Sequence, residues 1–187
     1  MTVIDMVTQA IRATGNNRYK LVVTGHSLGA AVATICAAVL RGNNSYPLTL
    51  VRKGLENHWK VDLTVPQYTY GSPMVGNAAF ANCVTNQPLV EGAGQNYHVN
   101  HQNDLVPNLP GYSFDYRHIS PQYWITSVNS APVTTSYIEV SSGIMDESGD
   151  YYSLLEILET SNAAHSWYFN HIDVCFADNN GTILNCR

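Results

Sequence analysis

Residues 19–24, YKLVVT, are a short β-branched run suited to a buried parallel strand, and residues 28–40 are Ala-rich and predict a helix. Between them stands Gly25-His26-Ser27-Leu28-Gly29. A strand that reverses into a helix within so few residues must bend sharply, and a side chain at 25 or 29 is expected to crowd the bend or the helix against the strand. Ala30, Ala31 and Ala33 keep the helix thin for the same reason. Ser27 then projects at the carboxyl end of a sheet, close to a helix N-terminus. The helix dipole and the N–H of Leu28 favour negative charge developing there, which makes Leu28 one of two oxyanion donors. His26 is expected to point away from the nucleophile as a hydrogen-bonding residue of the elbow.

The remaining pattern alternates. Residues 2–14 place apolar side chains at spacings of three and four, a helix that Gly15-Asn16-Asn17 stops. A second strand is expected at 63–70, a turn at Gly71-Ser72-Pro73, a short helix at 77–84 and a third strand at 96–100. Short strands at 117–125 and 136–140 and a helix at 151–160 follow. Alternation of strands and helices predicts an α/β layer fold with a mostly parallel sheet. No repeat or low-complexity tract divides the chain, so residues 1–187 read as one domain.

A serine hydroxyl is a poor nucleophile without a base, and the base needs an orienting carboxylate. On this architecture the chain order is Ser, then Asp or Glu, then His, each partner on a loop beyond a strand. Asp104 fits, since it follows NYHVN in a loop restrained by Pro107 and Pro110; Asp62 and Asp115 are rivals by order alone. His58, His98, His101 and His118 lie too early for a late loop, which leaves His165 and His171. His165 is preferred, because it stands in a loop of small residues and is followed by Trp167-Tyr168-Phe169, which can pin it by packing.

Seven histidines invite a metal, yet no HExxH or paired CxxC occurs, so neither metal nor cofactor is expected. Charged residues are only 12% of the chain and the net charge is −5, which argues against a nucleic-acid partner. No apolar run reaches the ~18 residues of a membrane span. Four cysteines and the sequons Asn43-Asn44-Ser45 and Asn180-Gly181-Thr182 suit a secreted protein, although the first ten residues do not read as a signal peptide. Cys36, Cys83, Cys175 and Cys186 are read as disulfide-bonded or buried thiols.

Taken together, YKLVVTGHSLGAAVA, TYGSPMVGNAAFA, YHVNHQNDLVPNLP, YRHISPQYWI and AAHSWYF resemble the fungal class 3 lipases, the group typified by the Rhizomucor and Thermomyces lipases and including feruloyl esterases. The resemblance runs from about residue 2 to residue 176, with Ala30 where the family more often has Gly. It implies an α/β-hydrolase fold and ester hydrolysis through an acyl-enzyme, with Ser27 as nucleophile, Asp104 as orienter and His165 as base. Acylglycerols at a lipid–water interface are the implied substrates; a feruloyl or other soluble ester, or an inactive homologue, are the alternatives. The family carries its second oxyanion donor and its lid ahead of the elbow, where this chain has no matching segment, so an N-terminally truncated fold is expected. The family's partner for Cys175 falls in that same part. Residues 43–60 and 145–161 look like insertions relative to compact members.

Overall fold

In this computed structural model residues 5–6, 9–10, 13, 21–41, 65–87, 95–142, 162–172, 176–177 and 183–185 are described. Strand β1 (Val23–His26) runs directly into Ser27 and helix α1 (Leu28–Arg41). It starts later than the sequence pattern suggests and takes in Gly25 and His26, because pairing with β2 (Gln67–Tyr70) continues up to the bend. Next come β3 (Gly76–Asn77) and helix α2 (Ala78–Asn86), where the Asn77 side chain caps the helix by accepting from the Phe80 N–H at 3.0 Å. Strand β4 (Asn96–His101) follows close to its expected place.

The expected strand at 117–125 is in fact two, β5 (Tyr116–Arg117) and β6 (Gln122–Ile125). Between them Pro121 has no N–H to give a ladder, and His118 turns inward to donate to the Pro107 carbonyl. Strand β7 (Ile138–Ser141) is preceded by a single 3-10 turn at Thr135–Tyr137. Helix α3 (Asn162–His165), β8 (Trp167–Tyr168), β9 (Asn170–His171), β10 (Phe176–Ala177) and β11 (Ile183–Asn185) complete the described chain. Asp5, Met6, Gln9, Ala10 and Ala13 are helical, as expected of residues 2–14, and exposed. The helix expected at 151–160, the apparent insertions and both sequons lie outside the described residues.

The main sheet has the order β1-β2-β4-β6-β7, parallel through β6, with β7 antiparallel at its edge. Each parallel step needs a crossover; α1 lies in the first, α2 in the second, and the third, from β4 to β6, runs through the Asp104 loop, 3-10 turns and β5 without an α-helix. Parallel strands therefore deliver their carboxyl ends to one rim, where Ser27, Gly71, Gln102 and Thr126 follow β1, β2, β4 and β6.

Helix α1 turns Ala30, Ala33, Ala37 and Leu40 inward and leaves Leu28, Val32, Ile35 and Val39 exposed. Its small buried face brings the helix axis close to β1, which the tight elbow requires. At its far end buried Arg41 donates to the carbonyls of Val65 (2.8 Å) and Gln95 (3.0 Å) and to Asn96 Oδ1 (2.5 Å), fixing α1 to the starts of β2 and β4. Burial pushes that guanidinium down to about 10. On the other side Val99, Ile125 and Tyr168 form a core against Tyr70, Tyr123 and Val133. Complete burial of Ile125 contributes about 2–3 kcal/mol. Cys36 is half-buried and unbonded, whereas Cys83 is exposed and unbonded on α2, which corrects its reading as a disulfide or buried thiol; Cys175 and Cys186 lie outside the described residues.

Candidate active site

Ser27 has φ +59°, a left-handed conformation that costs a residue with a Cβ about 1–3 kcal/mol. Packing on both sides holds it there. The Ser27 N–H donates to the Tyr70 carbonyl at 3.0 Å, and its own carbonyl accepts from Ala30 N at 2.9 Å and Ala31 N at 3.3 Å. Gly25 has to be bare, because a Cβ there would lie 2.5 Å from the Gly29 carbonyl carbon and 2.7 Å from Ala30 N. Gly29 is different: a Cβ would meet nothing within 4 Å, so the expectation that both glycines relieve crowding holds at 25 and fails at 29, which lies on the open side of the helix. Leu28 opens α1, and its N–H is one of those a helix start leaves without an intrahelical acceptor.

Asp104 stands three residues beyond β4 and is 1% exposed. An acceptor-only carboxylate so buried needs donors, and it has three. Its Oδ2 accepts from Tyr168 Oη at 2.6 Å and from His165 Nδ1 at 2.9 Å, and its Oδ1 accepts from Val106 N at 2.9 Å. Its loop is tied down by Asp104 N donating to the His101 carbonyl at 3.1 Å and by His118 Nε2 donating to the Pro107 carbonyl at 2.8 Å.

His165 ends α3, with its side chain 20% exposed. Since a carboxylate only accepts, Nδ1 carries the proton toward Asp104, and Nε2 is left to accept from Ser27 Oγ at 2.8 Å. Ser27, Asp104 and His165 thus come from residues 138 and 61 positions apart and meet in one hydrogen-bonded line. Such a line can pass a proton from the hydroxyl to the imidazole while the carboxylate holds the ring's orientation.

His26, expected only to brace the elbow, makes its contacts with the segment that bears His165. Its Nε2 donates to the His165 carbonyl at 2.7 Å and its ring lies 4.5 Å from that of His165. Burial, the largest cause, lowers its pKa. Of the rivals, Asp115 is exposed in a left-handed turn and His171 is exposed on β9, both outside the hydrogen-bonded line, while Asp62 and His58 lie outside the described residues.

His98 and His118 pair with each other in the interior. Because the Pro107 carbonyl takes the His118 Nε2 proton, His118 Nδ1 accepts from His98 Nε2 at 3.0 Å, and His98 Nδ1 accepts from Thr69 Oγ1 at 3.1 Å. Burial lowers His118 to about 4 and holds His98 well below the usual imidazole range.

Gly71 and Tyr168 are among the residues that escaped the sequence reading. Gly71, read only as a turn, has φ +57°, and a Cβ there would stand 2.8 Å from Asp104 Oδ2, 2.9 Å from Tyr168 Oη and 3.2 Å from His165 Cε1. Tyr168, read as apolar packing, gives its hydroxyl to Asp104. Its place three residues after the candidate base was the available signal.

Residues 2–114 match the family model described as lipase (class 3). The secreted mono- and diacylglycerol lipase A of Penicillium cyclopium is 44% identical over 158 residues, 84% of this chain and 44% of that protein. The secreted mono- and diacylglycerol lipase 1 of Fusarium solani is 41% identical over 167 residues, 87% of this chain and 41% of that protein. A crystal structure of a mutant form of MDLA from Penicillium cyclopium shares the fold with a TM-score of 0.68 and 38% identity, covering 92% of this chain and 54% of that one. The chain therefore spans less than half the length of these curated relatives, and its fold is the α/β-hydrolase fold of fungal lipases.

Proposed function

The chain belongs to the class 3 lipase family, and from that premise we propose that it hydrolyses carboxylic esters, acylglycerols above all, through an acyl-enzyme on Ser27. The observation that carries this is the unbroken line from Ser27 Oγ through His165 to buried Asp104. Ser27 Oγ attacks the ester carbonyl carbon as its proton passes to His165 Nε2. The resulting imidazolium is stabilised by Asp104, whose charge is held in place by Tyr168 and the Val106 N–H. Negative charge on the former carbonyl oxygen is met by the Leu28 N–H at the start of α1. Collapse breaks the ester C–O bond, and the leaving alcohol takes the proton from His165. Water then adds its oxygen to the acyl carbon as one proton passes to His165 Nε2, and collapse breaks the bond to Ser27 Oγ, which takes that proton back from His165 as the acid leaves.

Apolar substrates suit the surroundings. Leu28, Leu109, Phe169 and Ile172 are exposed large hydrophobic residues on the segments that carry the three polar residues, and such residues favour contact with an acyl chain or a lipid surface over water. Two relatives are named secreted mono- and diacylglycerol lipases, which favours partial glycerides as substrate and an extracellular setting. The test is release of fatty acid from emulsified diacylglycerol, beside a soluble feruloyl ester, by the full chain and its Ser27→Ala form. Release from the emulsion that is lost in Ser27→Ala is expected. Turnover of the soluble ester alone would move the substrate assignment to an esterase, and no turnover above Ser27→Ala on either would overturn the proposal.

A further inference from the structure

His165 belongs to a helix of only four residues, α3. So short a helix leaves its carbonyls without intrahelical donors, and its hold on the base has to come from elsewhere. Two histidine rings supply it, one from the end of β1 and one from the end of β4. His26 takes the carbonyl of His165 itself at 2.7 Å. His101, 1% exposed, reaches the carbonyl of the preceding residue, with Nδ1 3.2 Å from Ala164 O, while its Nε2 lies 2.8 Å from Ser127 O. Carbonyl oxygens only accept, and an imidazole with a single N–H can donate to only one of them, so the ring sits between the Ala164 and Ser127 carbonyls and binds one while packing against the other.

The backbone of His101 is tied into the same group. Its N–H donates to Tyr168 Oη at 3.2 Å and its carbonyl accepts from Asp104 N at 3.1 Å. Its ring also meets that of Tyr168 edge-on, with centroids 5.9 Å apart. One residue thus touches the segment that bears the base, the loop that bears the carboxylate and the tyrosine that donates to that carboxylate.

We propose that His101 is a positioning residue for the reaction: its ring, wedged between the Ala164 and Ser127 carbonyls, holds the backbone just ahead of His165 against the segment that follows β6 and so fixes the imidazole in line between Ser27 and Asp104, with His26 gripping the next carbonyl. Rotation of the His165 ring is limited by Asp104, but its height above Ser27 is set by the backbone, and that backbone is what His101 holds. The role rests on the ester-hydrolase reading for its kinetic consequence and on geometry alone for its structural one.

The test uses the full chain carrying His101→Phe, which keeps a planar ring and deletes both ring nitrogens, and His101→Gln, which keeps a side-chain N–H donor. Two readouts are taken: kcat per fluorophosphonate-titrated site with KM, and the proton resonance of His165 Nδ1–H in its bond to Asp104. For His101→Phe, kcat is expected to fall about 10- to 100-fold, the scale of an ångström of misplacement, with KM unchanged. The His165 resonance moves or broadens, and His101→Gln recovers part of both. A purely structural role would lower the yield of titratable sites and leave kcat per site and the resonance alone, which would overturn the proposal. If His101→Phe does not fold, the same comparison is made between His101→Gln and the parent. If the parent chain turns over no ester, the hydrolase reading fails, while the resonance still decides whether His101 holds the base.

Discussion

Two three-membered chains built on histidine run through this molecule, and their difference decides which of them suits the proposed chemistry. In the interior Thr69 donates to His98, His98 to His118 and His118 to a backbone carbonyl. At the rim Ser27 donates to His165 and His165 to the Asp104 carboxylate. Each begins at a hydroxyl and passes through imidazole. The interior chain ends on a neutral carbonyl, and burial lowers the pKa of both its rings, so it can organise the Asp104 loop and takes up no proton near neutral pH. The rim chain ends on an anion and leaves its ring 20% exposed, so it can become charged and reach a substrate.

Asp104→Asn would erase that difference by giving the rim a neutral end too. Activity should fall about 10,000-fold with the fold retained, measured as kcat against circular dichroism; activity within a few-fold of the parent would mean the carboxylate is not what separates the two chains.

The interior chain has its own signature in acid. Unfolded, its histidines titrate near 6.5, whereas folded His118 stays neutral to about 4. Between those values the unfolded chain binds more protons, so this stability is complete above about pH 6.5 and is lost as pH falls toward 4. The loss attributable to His118 is about 3 kcal/mol. Urea midpoints between pH 7 and 5, above the range of ordinary carboxylates, should fall as the solution is acidified, and a flat profile would contradict buried neutral rings.

Gly71→Ala sharpens the comparison from outside both chains. A methyl group there meets Asp104, His165 and Tyr168 at once, so kcat should drop about 100-fold, while the interior pair, and with it the acid profile, stays as it was. Tyr168→Phe is milder, removing one hydrogen bond to a charged acceptor for an expected loss of about 10-fold in kcat, with KM unchanged.

These contrasts also mark what the sequence could and could not disclose. The elbow was legible because one short segment must satisfy strand, bend and helix together, and only Gly25 with small following residues does so. The alternation behind the parallel sheet was legible for the same local reason. The spacing of His165 from Asp104 was legible only through chain order and the family resemblance, since no short-range pattern marks a pair 61 residues apart. Gly71, Tyr168 and His101 were not found, because each acts across the sheet rim and their local contexts look like a turn, an aromatic run and a strand end. The fate of the extra histidines was hidden too. Nothing in YHVNH distinguishes His98, which faces Thr69 and His118, from His101, which faces the base's backbone.

The central claim, that the rim chain activates Ser27, is tested most directly by labelling the full chain with a fluorescent fluorophosphonate beside its Ser27→Ala form. The account predicts covalent labelling of the parent and none of Ser27→Ala. A folded parent that resists the probe, or a Ser27→Ala chain that still takes it, would contradict it.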